Sequence, residues 1–164
     1  MSQNISAEIS RDFYSAGANE FLGIPEDIQD EFWLWFTKSA SELPAHSERY
    51  KEIKYDGYSE NRCFGNGQSV FIHTGIPYHE GFVKCGLSFI HHGYNVHENK
   101  VHDVTFESNP EPFIELNTVR LEPYYGIQIP TEVIISNIEQ IDLKGYNQPL
   151  LLDFYLSIRN TYNK

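Results

Sequence analysis

Apolar side chains recur at helical spacing near both ends of this chain and in short runs through its middle. Ile28, Phe32, Trp35 and Phe36 stand at i, i+4, i+7 and i+8, which aligns them on one face of a helix spanning 25–40. Pro25 followed by Glu26 and Asp27 suits the start of that helix, and Leu43-Pro44 ends it. An earlier helix is predicted over 6–22, with Ser6 as its cap and Ile9, Phe13 and Tyr14 on one side. Gly23-Ile24-Pro25 separates the two.

From residue 50 the period shortens. Runs rich in β-branched and aromatic residues predict strands near Tyr50–Tyr58, Gln68–His73, Gly81–His91, Asn95–Phe106 and Thr118–Tyr124. Gly65-Asn66-Gly67 and His92-Gly93 read as turns, and Asn109-Pro110-Glu111-Pro112 as a break. Pro130-Thr131-Glu132 opens a helix to about Ile141, although the same run also suits a strand. Leu151, Phe154, Tyr155 and Ile158 recur at i, i+3, i+4 and i+7, which predicts a closing helix over Leu150–Asn160. The sum is an α+β domain, a mostly antiparallel central sheet with N-terminal and C-terminal helices, in one unit over residues 1–164.

Charge changes the picture. The chain has 23 acidic and 12 basic residues, a formal net charge of -11, yet 15% of it is aromatic. A chain that is acidic because it is disordered lacks those aromatics. Residues 1–42 hold eight acids against two bases, residues 43–100 six of each, and residues 101–164 nine against four. Such a field draws a cationic partner and repels DNA or RNA. Arg49, Lys51, Lys54 and Arg62 make only a thin basic patch among Glu48, Glu52, Asp56 and Glu60. The N-terminus has no signal-peptide pattern and no run is long enough for a membrane span, so a cytoplasmic protein is expected.

Chemistry is harder to find. Five of the seven histidines, His79, His91, His92, His97 and His102, fall near Glu98 and Asp103, a possible zinc or iron set. Their spacing matches no metal motif, and histidines in a hairpin are the expected reading, with no metal and no cofactor. Cys63 and Cys85 are expected to be buried thiols. Either would make a thiol dyad only with a histidine brought close in space. No GxSxG elbow or phosphate-binding glycine motif occurs. Glu26/Asp30 and Asp27/Glu31 are like-charged pairs at i, i+4, a feature suited to a basic partner. Phe32-Trp33-Leu34-Trp35-Phe36 is too apolar for one helix face, so it meets a second layer or a partner.

In size, acidity and aromatic content the chain resembles the small bacterial immunity proteins encoded beside polymorphic or contact-dependent toxins. The resemblance is carried by the acidic helix Pro25–Ala40 and the stretch Glu107–Tyr125. It implies a non-catalytic protein that neutralises a basic partner, a cognate toxin domain, by filling a nuclease cleft. The residues expected at that interface are Asp27, Asp30, Glu31, Trp33, Glu107, Glu111, Glu115, Tyr124 and Tyr125. Two alternatives remain: a phage-type DNA mimic that inhibits a host nuclease, and a small metal-dependent enzyme built on the histidines between His79 and His102.

Overall fold

A computed structural model describes residues 22–44, 50–54, 57–59, 61–85, 88–108, 121–138 and 147–162. The helix expected over 6–22 and the break at 109–112 lie outside them, apart from Leu22. Five antiparallel strands form one sheet in the order β1-β5-β2-β3-β4. They are β1 (Ser41–Leu43), β2 (Tyr78–Cys85), β3 (Ser88–His97), β4 (Lys100–His102) and β5 (Leu121–Gln128). A 3-10 turn, Glu26–Ile28, leads into α1 (Gln29–Ser39); α2 is Cys63–Thr74, α3 Val104–Ser108, α4 Thr131–Ile138 and α5 Leu151–Tyr162. This is an α+β fold with helices towards both ends.

Helix α1 shows how its five large apolar residues are accommodated. Phe32, Trp33 and Phe36 are buried, with Trp33 and Phe36 at 5.8 and 5.3 Å from the Phe82 ring of β2. Trp35 turns the other way and is half-buried against Phe154 and Tyr155 of α5. Only Leu34 faces solvent. The helix is therefore sandwiched between the sheet and α5. Ile127, Ile134, Leu150, Leu151 and Tyr155 complete this core. On the opposite face of the sheet, Val83, Tyr94, Val101 and Tyr124 form a second cluster.

The middle of the chain departs from the strand reading. Residues expected as a strand at Gln68–His73, with a turn at Gly65-Asn66-Gly67, form α2 instead. Phe64, Gly67, Gln68 and Val70 supply its buried side, and Gly75, in the left-handed conformation at φ 75°, ends it. The segment 50–54 is turn and bend, not strand. His92-Gly93 lies inside β3; the reversal comes at Glu98-Asn99, where φ of 51° and 61° gives a two-residue hairpin loop. The strand expected over Asn95–Phe106 accordingly splits into the end of β3, β4 and α3.

Candidate functional site

The constellation with chemical potential gathers where α2 meets β3. Cys63 is the first residue of α2 and is half-buried with a free thiol, where a more deeply buried one was expected. Helix and strand approach unusually closely here. A Cβ on Gly93 would lie 3.0 Å from the Phe64 Cα and 2.6 Å from the Tyr78 hydroxyl, and one on Gly67 would meet the Tyr78 ring at 2.9 Å. Asn95 fixes the register by donating from Nδ2 to the Gly67 and Ile76 carbonyls, at 3.0 and 3.2 Å. Successive residues of α2 then meet successive histidines of β3. The Phe64 ring sits 4.8 Å from that of His91, and Cys63 lies near enough to His92 to act on its charge.

His92 and Asp103 form the second link. His92 Nε2 lies 2.6 Å from Asp103 Oδ2, and both residues are buried. Nε2 being taken, Nδ1 is the ring nitrogen that remains for a second partner. The Tyr124 hydroxyl donates to the same Asp103 oxygen at 2.8 Å. Asp103 Oδ1 accepts the Thr105 and Phe106 N–H groups, both at 3.1 Å, and so caps α3. Asn66 ties the two helices together by donating to Thr105 Oγ1 at 2.9 Å.

Electrostatics follows from these partners. Burial opposes the charge on His92, but the Asp103 carboxylate outweighs it and raises the imidazole well above its usual range, with Cys63 adding to the effect. Burial likewise works against the Asp103 anion, and His92, the Phe106 N–H and Tyr124 more than offset it, so its carboxyl is held low. His79 on the same sheet face is the contrast. Burial pushes it down to about 4, only partly offset by a backbone hydrogen bond at Pro77. The difference between the two imidazoles is the carboxylate. A cavity of about 780 Å³ lies along α2, lined by Lys54, Tyr58, Ser59, Ser69 and His73 and by Arg62, the residue before Cys63.

The interface residues expected from sequence fare differently. Asp27, Asp30 and Glu31 are exposed, with Glu31 bonded to Arg159 at 3.1 Å. Asp27 sits in the 3-10 turn, so the expected i, i+4 stacking with Glu31 does not extend one continuous α-helix. Trp33, Tyr124 and Tyr125 are a correction: they are 1%, 1% and 6% exposed and have no surface to offer a partner. Tyr125 packs into the main core, and Tyr124 serves Asp103. Glu107 is half-buried in α3; Glu111 and Glu115 lie outside the described residues. The hairpin histidines are more buried than expected: His91, His92 and His102 are all within the interior. Among the described residues no three His, Cys, Asp or Glu side chains converge as metal ligands, and no helix is long and apolar enough to cross a membrane.

Sequence reasoning missed the Cys63–His92–Asp103 set because it took the start of α2 for a turn. The available signal was Asp103 followed by Val104-Thr105-Phe106, a carboxylate placed to cap a helix beside a histidine-bearing strand. No protein-family model matches the chain, and neither a curated protein nor a solved structure is significantly similar to it.

Proposed function

We propose that this protein is a thiol-dependent acyl-transfer enzyme acting on an amide, ester or thioester carbonyl, with Cys63 as nucleophile and His92 as acid–base partner. The observation that carries this reading is a half-buried thiol, Cys63, beside an imidazole, His92, that is itself hydrogen-bonded to the buried carboxylate of Asp103. Nucleophile, base and orienting group in that order are what activated-nucleophile catalysis requires.

In the proposed cycle the Cys63 proton leaves to solvent, the His92 imidazolium held by Asp103 offsets the charge on sulfur, and the sulfur attacks the carbonyl carbon. The S–C bond forms as the C=O π pair moves onto oxygen. That oxyanion would be met at the start of α2 by the Cys63 and Phe64 N–H groups, which have no intrahelical acceptor, the Gly65 N–H being taken by Asn147 Oδ1 at 3.1 Å. The His92 proton then goes to the leaving nitrogen, oxygen or sulfur as its bond to carbon breaks, leaving an acyl-thioester on Cys63. Water or an amine, deprotonated by His92, releases the acyl group by the same steps in reverse. Asp103 touches no substrate; it holds the ring with Nδ1 towards the thiol.

Iodoacetamide tests the reading without a known substrate. Cys63 is expected to be alkylated at pH 7 at least tenfold faster in the native protein than in His92→Ala, by mass-spectrometric labelling. Equal rates would remove His92 as its activator.

A second reading keeps the non-catalytic acidic protein that neutralises a basic partner, for instance a bacterial nuclease toxin. It draws on four exposed carboxylates, Glu26 and Asp27 in the 3-10 turn and Asp30 and Glu31 at the start of α1. Reversing charge at Asp27 and Asp30 should abolish capture of a stoichiometric basic protein; unchanged capture would take that helix out of any interface.

A further inference from the structure

We infer that Tyr124 is a positioning residue for the site proposed above: its hydroxyl holds the Asp103 oxygen that holds His92, and so sets how tightly His92 keeps its proton. The inference rests on the Cys63–His92 reading for its purpose, but its geometry stands apart from it.

Asp103 divides its two oxygens between two tasks. Oδ1 caps α3 through the Thr105 and Phe106 N–H groups. Oδ2 takes both side-chain donors, His92 Nε2 at 2.6 Å and Tyr124 Oη at 2.8 Å. Two donors on one oxygen share its negative charge. The O–H dipole of Tyr124 therefore weakens the pull of Asp103 on the His92 proton. A base whose proton is held too firmly by a buried carboxylate returns it slowly to a leaving group, so this moderation favours turnover. Tyr124 is 1% exposed, which rules out contact with substrate and leaves Asp103 as its route of action.

A buried tyrosine ordinarily finds a partner for its hydroxyl simply to avoid desolvation. Tyr94 shows that this fold does not require one. Its ring is 4.9 Å from that of Tyr124 and equally buried, yet its hydroxyl has no hydrogen-bond partner among the described residues. The Tyr124 bond is thus specific to Asp103. The other ionisable groups that act on this cluster are Cys63 from α2, Tyr94 from β3 and Glu107 from α3; none of them donates to Oδ2.

The test is a ¹H–¹⁵N NMR titration of the His92 ring in the full chain. Tyr124→Phe should raise the pH at which His92 loses its proton by about one unit, the scale of one hydrogen bond to a charged group. Tyr94→Phe, which deletes a neighbouring buried hydroxyl, should leave that titration in place. A Tyr124→Phe titration that coincides with wild type, or falls below it, overturns the inference. If Tyr124→Phe does not fold, the wild-type spectrum decides. The Tyr124 O–H proton must appear downfield in that spectrum and move as His92 is titrated; a signal that does not follow the His92 titration overturns the inference. Iodoacetamide labelling run alongside separates the two ideas. Unactivated Cys63 with a displaced His92 titration sinks the enzyme reading and keeps the tyrosine's effect, while activated Cys63 with an unmoved titration does the reverse.

Discussion

Asp103→Asn is expected to leave the protein folded and to cost about 10⁴ in turnover of an activated ester such as p-nitrophenyl acetate. Asparagine caps a helix about as well as aspartate, so α3 keeps its start through Oδ1. What changes is the contact to His92. An amide can turn its NH₂ towards Nε2, which then becomes an acceptor and leaves the proton on Nδ1, facing the thiol. In that form His92 is no longer the cation held beside the Cys63 sulfur. Alkylation of Cys63 should fall at least tenfold for the same reason, and wild-type alkylation in this variant would deny Asp103 its orienting role.

The same substitution has a pH signature. The folded-state value of His92 lies above its unfolded value. Its contribution is therefore complete below about pH 6.5 and is lost as pH rises through the raised folded value. Asp103 is shifted down, so its contribution is complete above about pH 4 and is lost as pH falls through the lowered one. The pair stabilises most between those limits. Thermal melts of Asp103→Asn across pH should be flatter than wild type on both arms, and lower at pH 5–6 by the worth of a charged hydrogen bond, about 1.5–3 kcal/mol.

The two terminal helical patterns were legible because their packing agrees with their local spacing. Leu151, Tyr155 and the half-buried Phe154 of α5 lie where a 3.6-residue period puts them. Helix α1 is a partial exception: the spacing favoured Trp35 for the sheet side, but Trp33 is the one that meets Phe82. The cause is that α1 has two apolar neighbours, the sheet and α5, and a single-face pattern cannot assign residues between them. Helix α2 was hidden by its own glycines. Gly67 reads as a turn residue, yet it is helical because the Tyr78 ring occupies the space its side chain would need. The same close approach brings Cys63 to His92. A contact 29 residues apart in sequence, closed by a glycine on each side, leaves no periodic trace.

The acid–aromatic stretch was misleading for a related reason. Tyr124 and Tyr125 look alike in sequence, but alternation on β5 sends them to opposite faces, one to Asp103 and one to the core. Composition identified residues suited to an interface; burial places three of them, Trp33, Tyr124 and Tyr125, inside the fold.

Glu80→Ala is expected to be the most destabilising single substitution on the other face of the sheet, by about 3–5 kcal/mol. Helix α5 begins at Leu151 with no Ser, Thr, Asp or Asn at the preceding position. Its cap comes instead from Glu80 of β2, 70 residues away from Leu150 in sequence. Glu80 is fully buried. Its Oε2 accepts the Leu150 N–H at 2.7 Å and the Tyr78 hydroxyl at 3.0 Å, while Oε1 accepts the Leu151 N–H at 3.0 Å and lies 3.0 Å from His91 Nε2. A carboxylate at a helix N-terminus is favoured by the dipole as well as by these bonds. Alanine would strand two backbone N–H groups and a hydroxyl in an interior closed to water, each carrying a desolvation cost, and would remove the carboxylate beside His91. For a chain of this size the loss corresponds to a fall in Tm of about 10 °C or more. Glu80→Gln keeps one acceptor oxygen and sets an NH₂ against a donor at the other. It should therefore lie between wild type and Glu80→Ala. A Glu80→Ala protein melting within about 1 kcal/mol of wild type, the size of an ordinary single hydrogen bond, would mean that α5 is held by its apolar face alone. Cys63 alkylation in Glu80→Gln should stay near the wild-type rate, because Glu80 and His91 face away from the His92–Asp103 side of β3; a loss there would instead tie the two histidine–carboxylate pairs into one unit.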